Sequence, residues 1–427
     1  MDKKIKKIIG FDSWLGGSRH YQRLLPSLEA QSIQLTLVYL GSWGNELVCL
    51  PESRVGDLRV RDISFYPDGS FESVLDVEQP DAVILLSIDT FAHRAFLRYC
   101  NQRSIPSLYL THAIETVFGQ TGNKEAVPKR SKVAHVKHVF SKISKLFKYT
   151  FPVYVKALLK TKAAQKDWRR FISDIFQLAI GGEPSAVRAA DDSITSKCAV
   201  YMSSEVEHMM SCFGFLKEDV SIVGNPDLRE FGLKESMIGR WSHPELNLQK
   251  YIMYIETGLY SSGTMYAGNK GFIKHLIETE KSLAAQGYKM RLKLKPSQKN
   301  RKFIERGLAD TNIELVTNKD FLQAMGECSA CLAETTSLAL IPALMGMPLL
   351  LARYGVLESL SFGSILIDYP RSYPITDISS VSKVMQKNSK KSDSAKLSAW
   401  IDLNVGPLPP EEMPERVTVM INDMITG

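Results

Sequence analysis

The segment around residue 334 joins a short apolar run to a cluster of small hydroxyl residues. Residues 330–333 read as a buried strand, residues 338–345 read as a short helix, and between them stand Glu334, Thr335, Thr336 and Ser337. The first amide groups of a helix have no partner inside the helix, and the helix dipole is positive at that end. The pattern therefore predicts a site for an anion such as a phosphate, with an ordinary helix cap by Thr335 or Thr336 as the alternative.

Basic residues alternate along another predicted strand, Arg291–Leu294, and continue into the turn that follows it. Lys293 lies within this strand, Lys295 stands at its carboxyl end, and Ser297 follows in a Pro-Ser turn. A cation in that position can neutralise a bound phosphate and stabilise a departing one. The alternative is a solvated edge strand, because alternating lysines also prevent edge-to-edge pairing.

A third polar turn follows the predicted strand Tyr251–Ile255 and consists of Glu256, Thr257 and Gly258. Because parallel strands end at the same edge of their sheet, this turn is predicted to line one cleft with the two segments above. The alternative is a flexible surface loop.

The loop from Asp12 to His20 joins the first predicted strand to the first predicted helix. Its residues include Gly16, Gly17, Ser18 and Arg19. Because glycines let a backbone approach a ligand closely, we predict ligand contacts from these four residues. Asp12 and His20 are candidate general bases for a hydroxyl group. The spacing differs from the dinucleotide Gly-x-Gly-x-x-Gly pattern, which argues against a Rossmann dehydrogenase.

A second pair of candidate bases follows the strand predicted at Ser107–His112. His112 ends this strand, and Glu115 lies three residues further along the chain. Both are predicted to face the cleft from the side opposite the loop that begins at Asp12. The alternative for His112 is a structural role, because single histidines often pack without taking part in chemistry.

Predicted strands alternate with predicted helices along most of the chain, which is the pattern of doubly wound α/β domains. In the first half, Ala82–Asp89 is a nearly continuous apolar run, typical of a strand buried on both faces. The second half repeats the pattern, and its predicted strands include Ile365–Asp368. We therefore predict an α/β fold with two Rossmann-like domains that face each other across a cleft.

Length sets the domain division. A chain of 427 residues exceeds what a single core normally supports. We predict an N-terminal domain over residues 1–226, a linker over 227–247 and a C-terminal domain over 248–405. The final segment, 406–427, is predicted to contain a helix that packs back on the N-terminal domain.

Cysteine usage and hydropathy bear on the compartment and on metal binding. Six cysteines are scattered along the chain, and the close pair Cys328 and Cys331 has no second pair at metal-binding spacing. We predict that these cysteines are buried packing residues, that the protein has no metal site, and that its compartment is reducing. No stretch approaches the roughly 20 apolar residues of a membrane span.

Positive charge is concentrated between Lys124 and Arg170. This segment holds 14 basic and two acidic residues, whereas the whole chain carries +7, so the remainder is net negative. Apolar residues recur within it at three- and four-residue spacing, which predicts an amphipathic basic helix broken near Pro152. Such helices bind anionic membranes, and we predict this contact through residues 129–170. The alternatives are an arm packed on its own domain and a nucleic-acid site; we predict no nucleic-acid partner.

Four places in the chain resemble the bacterial GT-B glycosyltransferases of surface polysaccharide assembly. Gly16-Gly17 and the helix after them look like the N-terminal glycine loop, and Ser104–His112 looks like a segment that usually ends in Gln-His-Gly. Ile222–Asp227 is similar to the Val-Gly-Asn-Pro sequence that closes the N-terminal domain. Segments 293–297 and 335–337 resemble the donor motifs of transferases using CMP-sialic acid or CMP-Kdo, and of CDP-polyol phosphotransferases.

The resemblance implies a glycosyltransferase that moves a sugar from a nucleotide-activated donor to a lipid-linked or growing glycan, such as lipopolysaccharide or capsule. The second domain is expected to hold the donor and the first domain the acceptor, with no metal or other cofactor. The enzyme is expected to be cytoplasmic and peripheral on the inner face of the cell membrane.

Two departures from the family pattern leave the donor nucleotide open among cytidine, uridine and guanosine types. Ser297 stands where the donor motifs carry histidine, and Ala113 stands where glycine usually follows the residue at position 112. A polyol-phosphate transferase, a sugar-nucleotide epimerase and a non-catalytic membrane-bound scaffold of the same fold are the alternative functions.

Overall fold

The computed structural model describes residues 5–44, 49–88, 90–112, 114, 144, 146–161, 168–169, 171–173, 175–176, 194–241, 250–259, 266, 268–295, 301–387 and 394–426. Within these ranges the chain forms two β-sheets flanked by helices. The predicted α/β class is therefore confirmed. Predictions that concern Glu115, Ser297 and most of the basic segment 124–170 fall on residues outside the described ranges.

The first sheet is built from strands between residues 6 and 222. Its described strands are β1 (Lys6–Asp12), β2 (Ile33–Tyr39), β3 (Glu52–Val55), β4 (Leu58–Asp62), β5 (Ala82–Leu85), β6 (Ser107–Leu110), β7 (Lys197–Val200) and β8 (Val220–Ile222). They lie in the order β3-β4-β2-β1-β5-β6-β7-β8, and neighbouring strands are parallel except for β3 and β4. Every residue of β5 is buried, as its continuous apolar sequence predicts.

Helices cover both faces of this sheet, so that Ile8 and Ile9 of β1 belong to separate apolar cores. The helices are α1 (Ser18–Gln22), α2 (Leu25–Ala30), α3 (Phe71–Glu78), α4 (Phe91–Gln102), α5 (Phe151–Lys160) and α6 (Val206–His208). Pro26 lies in the first turn of α2. A proline lacks the amide hydrogen that a continuing helix needs, which separates α2 from α1.

The second sheet contains β9 (Tyr251–Ile255), β10 (Lys289–Lys293), β11 (Glu314–Leu315), β12 (Cys328–Ala333), β13 (Leu349–Ala352) and β14 (Ser372–Ile375). Their order is β11-β10-β9-β12-β13-β14, and all neighbouring pairs are parallel. Cys328 and Cys331 are buried free thiols in β12, and burial raises the pKa of Cys328 to about 12. The packing role predicted for both cysteines agrees with this position.

Helix α7 (Pro226–Glu230) lies between β8 and β9 in the chain. The helices of the second unit are α8 (Gly268–Ala284), α9 (Arg301–Gly307), α10 (Phe321–Gly326), α11 (Leu340–Met345), α12 (Ser364–Ile367), α13 (Val381–Lys387) and α14 (Ser394–Asn404). The strand predicted at Ile365–Asp368 is wrong, because residues 365–367 belong to α12, Asp368 caps its end, and the strand of this region is β14. A short apolar run does not distinguish a strand from a buried helical turn. Pro374 makes β14 hard to predict, because proline argues against a central strand. It is tolerated here because β14 lies at the edge of the sheet.

The order of the strands reverses once in each sheet. The first sheet grows from β1 through β2 towards β4 and then resumes on the other side of β1 with β5. The second sheet grows from β9 through β10 to β11 and resumes on the other side of β9 with β12. A crevice forms at the carboxyl ends of the strands beside such a reversal, and ligands of doubly wound folds bind there. We call these places the β1–β5 crevice and the β9–β12 crevice.

The part of the basic segment that the structure describes packs on the first unit. A π-helix, Leu146–Thr150, leads directly into α5, and Pro152 lies in the first turn of α5. The helix therefore changes winding near Pro152, where the sequence predicted a break. Tyr154 is buried in the same apolar core as Ile9, and the ammonium of Lys160 contacts the carboxylate of Glu72 at 2.6 Å. No helix among the described residues is long and apolar enough to cross a membrane.

The last helix, α15 (Met413–Thr426), returns to the first unit after the second sheet is complete. The hydroxyl of Ser27 in α2 donates to the carboxylate of Glu415 at 2.8 Å. The chain crosses from the first unit to the second after β8 and returns after α14. Arg416 contacts both of these crossings, because its guanidinium donates to the carbonyls of Val223 at 3.1 Å and Pro407 at 3.3 Å.

Gly406 lies in the second crossing, where a Cβ would be 3.3 Å from Cα of Gly224 in the first crossing. Gly406 has a φ of +75°, and a Cβ there would lie 2.4 Å from the carbonyl oxygen of Tyr201. We predict that Gly406→Ala lowers the free energy of unfolding by the ~1–2 kcal/mol of left-handed strain plus ~1–3 kcal/mol of overpacking. Chemical denaturation of the two proteins measures the loss.

Gly214 supplies the matched control, because its φ is +80° and no heavy atom lies within 4 Å of the position its Cβ would take. Gly214→Ala should show the backbone strain without the steric clash. Equal losses of unfolding free energy in the two variants would contradict the close packing around Gly406.

Candidate functional site

Three of the predicted polar turns leave the second sheet side by side. In the paired strands β10, β9 and β12, Lys293, Ile255 and Ala333 lie opposite one another. The residues that follow them are therefore neighbours at the β9–β12 crevice. These neighbours are Leu294 and Lys295, Glu256 to Gly258, and Glu334 to Ser337.

The carboxylate of Glu334 organises this crevice from within the protein. Its side chain has no exposed surface. The hydroxyls of Tyr254 and Tyr266 each donate to Oε1 at 2.8 Å, and Thr257 donates its amide at 3.0 Å and its hydroxyl at 2.9 Å to Oε2. Burial raises the pKa of Glu334, and the hydrogen bonds from these donors oppose that rise. Glu334 thus joins β12 to the turn after β9 through its hydrogen bonds. The ligand contact that the sequence predicts for the turn at Glu334 stays a prediction.

A histidine extends this network to α8. The ring nitrogen Nε2 of His275 lies 3.3 Å from the hydroxyl oxygen of Tyr254. Because the hydroxyl hydrogen of Tyr254 points at Glu334, the histidine supplies the hydrogen of this bond. Burial lowers the pKa of His275 to about 4, so the ring is neutral at neutral pH. Its ring stacks on Tyr354 with the centroids 5.4 Å apart.

A second buried carboxylate, Glu256, fixes the neighbouring backbone. One of its oxygens accepts the amide of Gly258, and the other accepts the amide of Lys295 at 3.2 Å. Gly258 has a φ of +92°, a conformation that glycine adopts without steric cost. Glu256 therefore joins the turns after β9 and β10, as Glu334 joins the turns after β9 and β12.

The alternating basic residues of β10 have different environments. Arg291 forms ion pairs with two glutamates of neighbouring segments. Lys293 is buried and donates to the amide oxygen of Asn318 at 2.6 Å, and burial lowers its pKa to about 8. Lys295 is exposed at the carboxyl end of the strand. Of these three cations, Lys295 is the one whose position suits contact with a ligand.

The hydroxyl cluster after Glu334 forms a capped turn. The hydroxyl of Thr335 donates to the carbonyl of Ser361 at 2.7 Å and is nearly buried. The hydroxyl oxygen of Thr336 accepts the amide of Leu338 at 3.3 Å and caps the 3-10 helix Ser337–Ala339, which continues into α11. The predicted alternative of an ordinary cap therefore describes the side chain of Thr336. Both Thr336 and the first residue of the 3-10 helix remain partly exposed.

A cavity of about 460 Å³ adjoins the network around Glu334. Its lining comes from α8 and from the loops after β13 and β14, and includes Tyr266, His275, Glu278, Tyr354 and Asp377. Its volume falls in the range of small-molecule pockets, about 300–1,000 Å³. Its aromatic side chains can stack on a planar ring, and its carboxylates can accept hydrogen bonds from hydroxyl groups. Across the described ranges, no three His, Cys, Asp or Glu side chains come together as a metal site requires.

The first sheet brings the predicted bases together at the β1–β5 crevice. Asp12 ends β1, His20 lies in α1, and His112 follows β6. The rings of His20 and His112 lie edge to face with the centroids 5.8 Å apart. The Nδ1 atom of His112 lies 2.7 Å from the carbonyl oxygen of Leu86, which only accepts, so Nδ1 carries the hydrogen. In the neutral ring, Nε2 then holds a lone pair that can take a proton from a hydroxyl.

His20 differs from His112 in both burial and hydrogen bonding. It is 7% exposed, and the Nε of Arg19 donates to its Nε2 at 3.3 Å. Burial lowers the pKa of His20 to about 3, with smaller contributions from Arg23, Arg19 and His112. Its acceptor nitrogen is thus occupied and only weakly basic, which suits a packing role beside His112. Ser18, at the start of α1, is nearly buried, whereas Arg19 is exposed.

The two glycines of the first loop make room for neighbouring side chains. A Cβ at Gly17 would lie 2.4 Å from Oδ2 of Asp12, and a Cβ at Gly16 would lie 1.8 Å from Cζ3 of Trp14. The Oδ1 atom of Asp12 accepts the amide of Ser13 at 2.7 Å. Both glycines therefore lie against side chains of their own loop, and the ligand contacts that the sequence predicts for them stay a prediction.

The sequence reasoning missed the residues that act through tertiary contacts. Tyr254 belongs to an apolar strand, and no local pattern marks Tyr266 or His275 as its partners. The carbonyl of Leu86, which sets the tautomer of His112, carries no side-chain signal at all. Trp14 stands inside the glycine loop, and its residue type alone does not predict a role there.

The hydrogen bonds to Glu334 predict a cost for removing its charge without changing its shape. In Glu334→Gln, the carboxamide nitrogen faces donors where a carboxylate oxygen now accepts, so at least one buried donor loses its partner. We expect the free energy of unfolding to fall by about 1–3 kcal/mol. Chemical denaturation measures this change.

Glu305→Gln is the control, because Glu305 lies on α9 in a half-exposed pair with Arg301. Such surface pairs contribute about 0–1 kcal/mol. A Glu334→Gln protein as stable as the control would contradict the role of Glu334 as the internal acceptor of the crevice.

Comparison with known proteins identifies the architecture. No known sequence family and no curated protein matches this chain. Among solved structures, the chain is similar to the calicheamicin glycosyltransferase CalG4, with a TM-score of 0.53 at 12% identity over 98% of each chain. It is also similar to UDP-bound MnaA of S. aureus, with a TM-score of 0.48 at 14% identity over 99% of this chain and 98% of that one. The wall teichoic acid polymerase TagF aligns with a TM-score of 0.46 at 12% identity, over 99% of this chain and 89% of TagF.

The alignment with CalG4 extends through both sheets and through nearly the whole of both chains. At this level of identity the likeness concerns the fold. The chain therefore has the GT-B architecture, in which two Rossmann-like domains face each other across a cleft.

Proposed function

We propose that this protein is a glycosyltransferase that moves a sugar from a nucleotide-activated donor to a hydroxyl group of a glycan or glycolipid acceptor. One observation carries the proposal. In each sheet, the polar turns that were predicted from sequence lie at the strand reversal or one strand beside it, where a doubly wound fold binds its ligand. The two crevices have different chemistry, since one offers a base and the other offers a cation and a cavity.

The β9–β12 crevice is the proposed donor site. Lys295 is exposed there, and the partly exposed turn of Thr336 and Ser337 lies at the end of β12. A lysine beside a polar turn suits the diphosphate or monophosphate of the donor. The adjoining cavity suits the nucleoside, with Tyr354 against the base and Asp377 within reach of ribose hydroxyls. Glu256 and Glu334 hold the backbone of these turns and do not touch the donor.

The β1–β5 crevice is the proposed acceptor site, and His112 is the proposed base. As the acceptor oxygen forms its bond to the anomeric carbon, Nε2 of His112 takes the hydroxyl proton. The bond between the anomeric carbon and the phosphate oxygen breaks at the same time, and Lys295 stabilises the negative charge on the departing nucleotide. His20 holds the ring of His112 in place and stays neutral.

The test separates nucleotide binding from transfer. The protein is incubated with CMP, UMP, GMP and the corresponding nucleotide sugars, and thermal unfolding reports binding because a bound ligand raises the melting temperature. Alkyl glycosides are then added as acceptors, and the products are identified by mass spectrometry. We expect Lys295→Ala to weaken nucleotide binding, and His112→Gln to retain binding while the transfer rate falls about 10²–10⁴-fold.

Lys250→Ala is the control for the lysine variant, because Lys250 is exposed at the amino end of β9, at the opposite edge of the same sheet. It should bind nucleotides as the unchanged protein does. The absence of stabilisation by every nucleotide would contradict the proposal. A phosphodiester product would indicate polyol-phosphate transfer, and an isomerised nucleotide sugar would indicate epimerisation.

The same proposal places the protein on the cytoplasmic face of the cell membrane as a peripheral protein. Leu159 on α5 is 68% exposed, and Phe176, six residues after the end of the basic segment 124–170, is 66% exposed. Basic residues of the same segment, including Lys148 and Lys156, accompany them. Tyr149 stacks on Trp43, which follows β2, so this segment adjoins the carboxyl edge of the first sheet. A lipid-linked acceptor held by this segment would lie near the β1–β5 crevice.

Vesicle sedimentation tests the membrane contact. We expect the protein to bind vesicles that contain anionic lipid, to bind neutral vesicles weakly, and to release as salt increases, because salt screens charge attraction. The double variant Leu159→Glu/Phe176→Glu should lose most of this binding. Leu403→Glu, which alters a 54% exposed leucine on α14, should not. Equal binding by both variants would contradict the contact.

A further inference from the structure

Trp14 is an exposed aromatic side chain at the mouth of the β1–β5 crevice. It lies two residues after the end of β1, and 55% of its surface is exposed. Its extended backbone, with φ −151° and ψ 155°, precedes the 3-10 helix Leu15–Gly17. Among the described residues no other aromatic ring packs against it. Tryptophan combines a large apolar face with a polar N–H edge, so an indole that is open at a crevice suits contact with a ligand that is itself partly apolar.

The indole is held in place by the backbone beneath it. A Cβ at Gly16 would lie 1.8, 2.3 and 2.5 Å from Cζ3, Cε3 and Cη2 of Trp14. These three atoms belong to the six-membered ring, so this part of the indole rests against the Gly16 backbone. A ring fixed in this way loses little side-chain entropy when a ligand stacks on its open face.

The groups around Trp14 indicate the chemical class of the ligand. The same loop carries Asp12, the exposed Arg19 and His20, and His112 lies against His20. A pyranose ring has a face of C–H groups and a rim of hydroxyls. The C–H face is attracted to the negative face of an indole, and the hydroxyls need hydrogen-bonding groups beside it. An aromatic platform next to a base therefore fits a sugar whose hydroxyl is to be deprotonated.

We propose that Trp14 is the platform on which the acceptor sugar stacks, so that one of its hydroxyls is presented to Nε2 of His112. This assignment rests on the proposed glycosyltransferase function and names the acceptor chemistry of that same site. It also gives Gly16 a role, since any larger residue there displaces the indole. Trp14 acts in binding and orientation, and takes no part in proton transfer.

Titration with octyl glucoside, octyl galactoside and octyl N-acetylglucosaminide, below their micelle-forming concentrations, tests the platform. Calorimetry gives the affinities. Tryptophan emission, compared between the unchanged protein and Trp14→Phe, isolates the signal of Trp14 from the other four tryptophans. We expect at least one glycoside to bind and to alter the Trp14 emission.

The variants separate an aromatic face from mere bulk. Trp14→Phe keeps a flat ring and should keep most of the affinity, whereas Trp14→Leu should lose about tenfold. Gly16→Ala leaves the tryptophan in the sequence but moves it, and should lose a similar amount. Leu216→Ala is the control, because Leu216 is 60% exposed just ahead of β8, at the amino edge of the same sheet. Nucleotide binding should be unchanged in all four variants.

Three outcomes would overturn the assignment. They are equal glycoside affinity in Trp14→Leu and the unchanged protein, no binding of any glycoside, and a change of Trp14 emission by CMP or UMP in place of glycosides. Failure of the glycosyltransferase proposal gives a different result. In that case nucleotides fail to stabilise the protein, while glycoside binding still depends on Trp14.

Discussion

The β9–β12 crevice depends on the hydrogen bonds that the buried carboxylate of Glu334 accepts. This carboxylate lies where the strand order reverses between β9 and β12, and it has no exposed surface. A buried carboxylate is costly unless its oxygens are hydrogen-bonded. Tyr254, Tyr266 and Thr257 meet that requirement, and in doing so they fix the turn after β9 to the end of β12. These hydrogen bonds therefore hold the partly exposed turn after Glu334 in one position. A site that binds a ligand in one geometry requires such fixed groups.

In the β1–β5 crevice, burial gives different properties to two histidines that lie in contact. His20 is packed in the interior, accepts from Arg19 and stays neutral over the ordinary pH range. His112 is less buried, and the carbonyl of Leu86 holds its proton on Nδ1. The two residues have the same side chain, yet only one has an available lone pair directed away from the protein backbone. The candidate base is thus selected by a main-chain atom at the end of β5.

The two glycines of the first loop make room for side chains of the same loop. Gly16 and Gly17 precede α1, a position where many folds bring a backbone against a ligand. In this chain the space beside them is filled by the ring of Trp14 and the carboxylate of Asp12. The glycines of this loop therefore allow the side chains of Trp14 and Asp12 to lie close to the backbone.

The sequence alone determined the α/β class and most of the strands, because apolar runs and turn residues are local signals. It also placed the hydroxyl turn after Glu334, Lys295 and His112 at the carboxyl ends of strands, since that requires only the strand boundaries. The tertiary structure decided what each residue does there. Lys293 and Lys295 are equivalent in the sequence pattern, yet one is buried against Asn318 and the other is exposed. These differences depend on strand order and register, which bring together residues far apart in the chain and leave no local pattern in the sequence.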